Sequence, residues 1–598
     1  MNKSRYLRLF AVMALAAMIA VLSSGSFTRT GAILSGAFCA FAPSSASASA
    51  VFPPPRLSQT EPSKPGAKEP AELVLLNGVI YTGDPQRPRV QAMAISFERI
   101  LATGSTKEIR EYQGPKTRVV DLRGAFVMPG FNDAHTHLAS AGDARLSIDL
   151  EGAKSLAEFQ QRIRAHLAEH KPGEWLTGRG WDHTLWPEKR FPTRQELDAI
   201  STAHPMFFGR IDGHVAVANS RALEIAGITR ATKDPPGGGI ERDSAGEPNG
   251  MLKEGSAMAM VESRIPGITP QQHRQGIEMA LEDAARHGVT TLQDNSTFID
   301  FLAYEEIKKD GKLTARITEW LPFQLPLDKL EELRKRGGTT DPMLRTGALK
   351  LVADGSLGSR TAALLAPYSD EPATSGIMTI APDELKKMVV ERDKAGFQIA
   401  IHAIGDRTNR LALDAFAAAR DANGVRDSRH RIEHAQVISV EDLPRFAKLG
   451  VIASMQPSHE TTDMRWAAAR LGPERSRGAY AWNSLRKSGA RLAFGTDYPV
   501  EPIDPMRGLY ACVTRARPEG GPSWQPQERI SLDDCIAAYT QGSAYAEFSE
   551  KEKGQIAAGQ LADVIVLSAD PTKAKPAKLL QIHVLTTYVG GRQVWPKD

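Results

Sequence analysis

The chain is 598 residues long, 41% hydrophobic and 24% charged, a globular composition in a chain too large for one simple core. Its formal charge of +4 is matched by Lys3, Arg5, Arg8 and Arg29 in a leader without acids, so the remainder is near neutral and offers no basic footprint for nucleic acid. Its three cysteines, Cys39, Cys512 and Cys535, form no CxxC pair, which argues against a disulfide framework and against a thiolate zinc site.

Residues 1–50 read as a leader. A basic "MNKSRYLR" precedes an apolar run, Leu9–Leu22, of signal-peptide length, and Ala48-Ser49-Ala50 fits a small-residue cleavage site. Cleavage there implies export to the periplasm or beyond; retention of the run implies a membrane anchor. Residues 51–70 form a Pro-rich polar linker. Short strands with turns, such as Asn77-Gly78, fill 71–127, and the same pattern returns over 551–598 around Gly590-Gly591. These end pieces are expected to build one small composite β-sandwich domain, since domain termini often lie close together.

Residues 128–550 alternate strand and helix. The strand candidates are "VMPGFNDAH", "GVTTLQD", "ARITEWLPF", "ALKLVADG", "FQIAIHAIG", "RIEHAQVI", "VIASMQP" and "RLAFGTDYP", separated mostly by helical stretches such as "PQQHRQGIEMALEDAARHG". This order predicts a (β/α)8 TIM barrel. The gap after the first strand is too long for one crossover, so residues 141–267 read as a large insertion.

Barrel chemistry gathers at the carboxyl ends of the strands. Those ends carry His135 and His137, Lys350, His402, His434 and Asp497. His135 and His137 are two apart and share a strand face, so both rings reach one ion; His402 and His434 come from adjacent strands and suit a second. Imidazole and carboxylate donors fit Zn²⁺, with other divalent metals open. Taken singly, each has an ordinary explanation: His402 as a hydrogen-bonded core residue, Asp497 as a turn cap. Their joint arrival at strand ends in barrel order points to a metal site. Lys350 is the odd member, since an unpaired ammonium in a buried strand is costly.

The stretches "GFNDAHTHL", "LKLVADGSLGSRTAALLAPY", "IHAIGDRTNRLALDAF", "HRIEHAQVI" and "FGTDYPVEPIDP" together resemble the amidohydrolase superfamily. "GWDHTLWPEKRFPTRQELDAI", "RIDGHVAVANSRALEIAGI" and "GQIAAGQLADVIVLSADP" are similar to its YtcJ-like and N-substituted formamide deformylase-like branch. The resemblance implies a metal-dependent hydrolase of carbon–nitrogen bonds other than peptide bonds, acting through metal-activated hydroxide on a small-molecule amide. It implies that Lys350 is carboxylated and bridges two ions. Burial and neighbouring cations favour a neutral amine, which can add CO₂. The competing roles are a lysine paired to Asp354 or Glu254, an anionic ligand from one of those two, or a site with one metal.

Asp497 is the expected general base and then acid. His214 is expected to touch substrate or transition state or else to make a structural hydrogen bond, with Asp182 and Asp212 as further contacts. Trp181 and Trp186 either contact substrate as pocket wall or belong to the insertion core, Arg360 pairs with a substrate anion or makes a structural salt bridge, and Tyr498 and Glu501 are weaker candidates. Ester hydrolysis or deamination on the same scaffold, and a catalytically silent exported metal-binding protein, stand as alternatives. A homodimer is left open.

Overall fold

The structure is a computed structural model that describes residues 68–597; the expected leader and nearly all of the expected linker lie outside them. Its centre is a barrel of eight parallel strands: β1 Phe131–Thr136, β2 Val289–Asp294, β3 Arg316–Pro322, β4 Leu344–Val352, β5 Ile399–Ala403, β6 Arg431–His434, β7 Ile452–Met455 and β8 Leu492–Phe494. Most of these residues are buried on both faces, as parallel strands wrapped by helices must be. Capped helices supply the crossovers: Pro270–Arg286, for example, starts from a Thr269/Gln272 capping box with proline at its first position.

The barrel closes where β8 runs on into the turn beside β1. The Asp497 amide donates to His135 O (2.8 Å), and the His137 amide donates to Tyr498 O (2.8 Å). Gly495 permits the approach, because a Cβ there would stand 2.5 Å from Asp133 Oδ1 and 2.6 Å from His135 N. Closure therefore brings the HxH pair and Asp497 together.

The expected first barrel strand is divided. Phe126–Pro129 pairs antiparallel with Val564–Leu567 of the carboxyl-terminal piece, and Gly130 turns the chain into β1. A Cβ on Gly130 would collide with the Thr290 side chain at 2.3 Å. The small β-domain consequently reaches Pro129, two residues past the expected edge. It consists of a four-stranded sheet from residues 73–121 and a six-stranded sheet mixing strands from both chain ends.

Between β1 and β2 the insertion forms its own six-stranded sheet over residues 148–253. Phe159, Trp181, Trp186, Met206 and Phe208 pack as its core. Contrary to the expectation of no disulfide, Cys512, in helix Pro505–Thr514, and Cys535, in helix Leu532–Ala537, are joined by one. The pairing is tertiary, 23 residues apart, and leaves no short-range spacing to read. No helix of the described residues is long and apolar enough to cross a membrane.

Candidate metal centre

The carboxyl ends of β1 and β4–β6, with the turn after β8, converge on a cavity of about 830 Å³. His135, at the end of β1, is fully buried. Its Nδ1 donates to Glu433 Oε2 (2.6 Å); a carboxylate only accepts, so the proton sits on Nδ1 and the Nε2 lone pair faces the site. Lys350 Nζ donates to that Nε2 at 3.2 Å. The lysine head lies over the Trp320 ring, 5.6 Å from its centroid, and burial pushes its amine down to about 8. Neither expected acid reaches it: Asp354 accepts the amides of Ala363, Ile404 and Gly405, and Glu254 is held by His214.

Asp497 is the meeting point. Its Oδ1 lies 3.1 Å from His137 Nε2 and 3.4 Å from His135 Nε2, and its Oδ2 lies 3.6 Å from His459 Nε2 and 4.0 Å from His434 Nδ1. These are close approaches without hydrogen-bond alignment: Asp497 Oδ1 and His459 Nε2 are buried and find no hydrogen-bond partner among the described residues. Burial pushes the Asp497 carboxyl up, but His137, His434 and His459 outweigh it and hold it well below the usual carboxylate range. Two donor groups result, His135–His137–Asp497 and His434–His459–Asp497, each with its donor atoms within 4.8 Å of one another. Orphaned, converging nitrogen and oxygen donors of this kind fit a divalent cation.

The grouping differs from the expected one at His402. Its ring lies 4.5 Å from that of His434, but its Nε2 is taken by Gly355 O (3.2 Å). His459 stands with His434 instead, the two rings stacked at 6.0 Å. The sequence reading missed His459 because it lies beyond β7, in helix Pro457–Asp463, rather than at a strand end.

His214 enters from the insertion, its ring 5.1 Å from that of His402. Burial alone would push its imidazole down, yet the Glu254 carboxylate at 2.9 Å raises it to about 9. Asp182 and Asp212 also line the cavity, but both are engaged by Arg210, and Asp212 accepts from Ser359 Oγ as well (2.6 Å). Two expected substrate contacts lie elsewhere. Trp181 is fully buried in the insertion core with its Nε1 donating to Phe208 O (2.9 Å), and Trp186 lies in the same core. Arg360 turns away to Asp370 (2.8 Å). Glu501 lines the cavity, with Oε1 accepting from Thr462 Oγ1 (2.7 Å), whereas the Tyr498 hydroxyl donates to Asp283 Oδ2 (3.0 Å) outside it.

A closed parallel barrel with imidazole, lysine and carboxylate groups at one rim defines the amidohydrolase class of metal-dependent hydrolases. The chain belongs to the amidohydrolase family, whose model matches residues 118–595. It is 34% identical to the putative amidohydrolase YtcJ of Bacillus subtilis over 87% of this chain and 99% of that one. It is 28% identical to N-substituted formamide deformylase of Arthrobacter pascens over 87% and 97%. The crystal structure of an uncharacterized metal-dependent hydrolase from Pyrococcus furiosus superposes with a TM-score of 0.65 at 33% identity, covering 84% of this chain and all of that one. The protein is thus a metal-dependent hydrolase of carbon–nitrogen bonds.

Proposed function

We propose that the protein hydrolyses a small N-acyl amide, an N-substituted formamide being the model substrate, with zinc held at the Asp497 convergence. The observation that carries this reading is the buried Asp497 Oδ1, surrounded by imidazole nitrogens and hydrogen-bonded to none. His135, His137, His434, His459 and Asp497 would hold the ion or ions, with His402 beside them. Lys350, carboxylated, would bridge two ions; its buried amine faces the imidazoles, and among the described residues no carboxylate lies within ion-pair distance of it. A bound ion supplies Lewis acidity and lowers the pKa of water to near neutrality.

The chain's own groups supply the rest. Asp497 accepts the proton of the attacking water and passes it to the leaving nitrogen, as base and then acid. Glu254 fixes His214 through Nδ1 and leaves Nε2 to donate to the developing oxyanion. Glu433 holds the His135 ring by its far nitrogen, as ligating histidines require. The relative from Arthrobacter supports the formamide class by its name. Export is supported by the leader and suits the Cys512–Cys535 disulfide, which persists in oxidising compartments.

Metal analysis of the purified chain together with Asp497→Asn tests this reading. In the variant kcat on N-formyl amides is expected to fall by about 10²–10⁴, with metal content read alongside because the same side chain is ligand and base. A metal-free active enzyme, or a variant with full activity, would overturn it. Isotope-labelled bicarbonate NMR reads the carbamate on Lys350, and its signal should vanish in Lys350→Ala.

A further inference from the structure

We propose that the substrate carries an anionic group, a carboxylate set apart from the scissile amide, and that Arg179 holds it. The proposal rests on the amide-hydrolase reading above and names one feature of the substrate. Arg179 lies in the insertion strand Leu176–Trp181. In an unbroken strand residues 179 and 181 share a face. Here the register with the neighbouring strand shifts between them. Gly180 takes φ +102°, where a Cβ would lie 2.8 Å from Glu151 N. The bulge parts the two side chains: Trp181 is fully buried in the insertion core, and Arg179 lines the catalytic cavity. Bulges beside active sites re-aim side chains in this way.

The guanidinium is then fixed without being neutralised. Its Nη1 donates to Pro499 O (3.1 Å) and its Nη2 to Ile211 O (2.7 Å). Both carbonyls belong to the site, one just past Asp497 and the other just before Asp212. A guanidinium carries five N–H donors, so most of the fork is still available. Among the described residues no carboxylate lies within ion-pair distance of it, whereas Arg210 is clamped between Asp182 and Asp212 and Arg465 faces Asp182 at 3.5 Å. Burial works against its charge, and Glu151 and Asp212 act on it only from beyond contact. A half-buried, pre-oriented donor fork without its anion is suited to bidentate capture of a carboxylate. It stands beside Pro499, so a bound carboxylate would place the rest of the substrate along the wall that leads to Asp497.

The test compares N-formyl-β-alanine with its uncharged carboxamide on the metal-loaded full chain. The wild type should favour the carboxylate in kcat/KM by about tenfold or more, the scale of a hydrogen bond to a charged group. That ratio should fall to about one in Arg179→Met and recover in part in Arg179→Lys. Because both probes are read on the same preparation, loss of folded enzyme does not alter the ratio. A wild-type ratio of about one or less, or a ratio unchanged in Arg179→Met, overturns the proposal. If neither probe is hydrolysed, the formamide reading fails separately and calorimetric binding of the two probes decides. Tighter binding of the carboxylate, lost in Arg179→Met, supports the proposal; equal affinity, or no binding, overturns it.

Discussion

Asp497 and His434 occupy the left-handed backbone region, with φ of 60° and 71°. Non-glycine residues adopt it at a cost of about 1–3 kcal/mol each, and such strain collects where surrounding structure fixes a functional side chain. Here the closure of β8 on β1 fixes Asp497, and Gln456 Oε1 accepts from His434 Nδ1 at 2.8 Å. Glu433 shows the same economy one residue earlier, with its carboxylate shared among His135, Arg431 and Ser454. Glu433→Gln is expected to weaken metal affinity by about 10–100-fold, read by chelator competition, because the His135 ring loses its charged partner. Asp497 and the histidines were legible because barrel order places strand ends in one ring. Lys350 was legible because a charge in a buried strand is an anomaly that asks for a partner. His459 was not, because a histidine inside a helix carries no periodic signal of its direction.

The insertion strand Leu176–Trp181 shows where residue-by-residue reading stops and element geometry takes over. Alternation puts Trp181 and Arg179 on one face, and an aromatic beside the site looks like a pocket wall. The bulge at Gly180 breaks the alternation, and no pattern in "TGRGWD" announces it beyond the glycines themselves. Gly180→Ala would force a side chain against Glu151 N at positive φ. It should destabilise the chain by at least about 1–3 kcal/mol, measured by urea unfolding, since backbone strain and the clash with Glu151 add. Arg360 takes the salt-bridge role of its two expected ones, with its own left-handed backbone (φ 57°) turning it to Asp370. The eight barrel strands, by contrast, were legible as apolar runs separated by helical periods. The edge at Gly130 was not, since one continuous apolar run serves two sheets.

Across the whole molecule the carboxyl-terminal segment is tied to the barrel floor by Glu547. Its carboxylate accepts from Asn132 Nδ2 (2.6 Å) and Arg345 Nη2 (2.9 Å), with Lys553 Nζ at 2.8 Å. Burial pushes this carboxyl up, but Lys553 and Arg345 outweigh it and bring it down to about 2 from an ordinary 4.5. A depressed carboxyl stabilises the fold above its unfolded value, and that contribution is lost as pH falls from about 4.5 towards 2. Glu547→Gln should flatten this acid limb of the stability curve and cost about 3–5 kcal/mol at neutral pH, since it strands the buried Lys553 ammonium beside the half-buried Arg345. The Cys512–Cys535 disulfide closes a 23-residue separation. Replacing both cysteines with serine should lower the unfolding free energy by about 3 kcal/mol under oxidising conditions. The pairing of Phe126–Pro129 with Val564–Leu567 also sets a timetable for synthesis. Some 435 residues separate Pro129 from Val564. At about 5–20 residues per second the early strand waits roughly 20–90 s on the ribosome for its neighbour. Until then its edge is an open template for aggregation, and a chain that ends before Val564 never loses it.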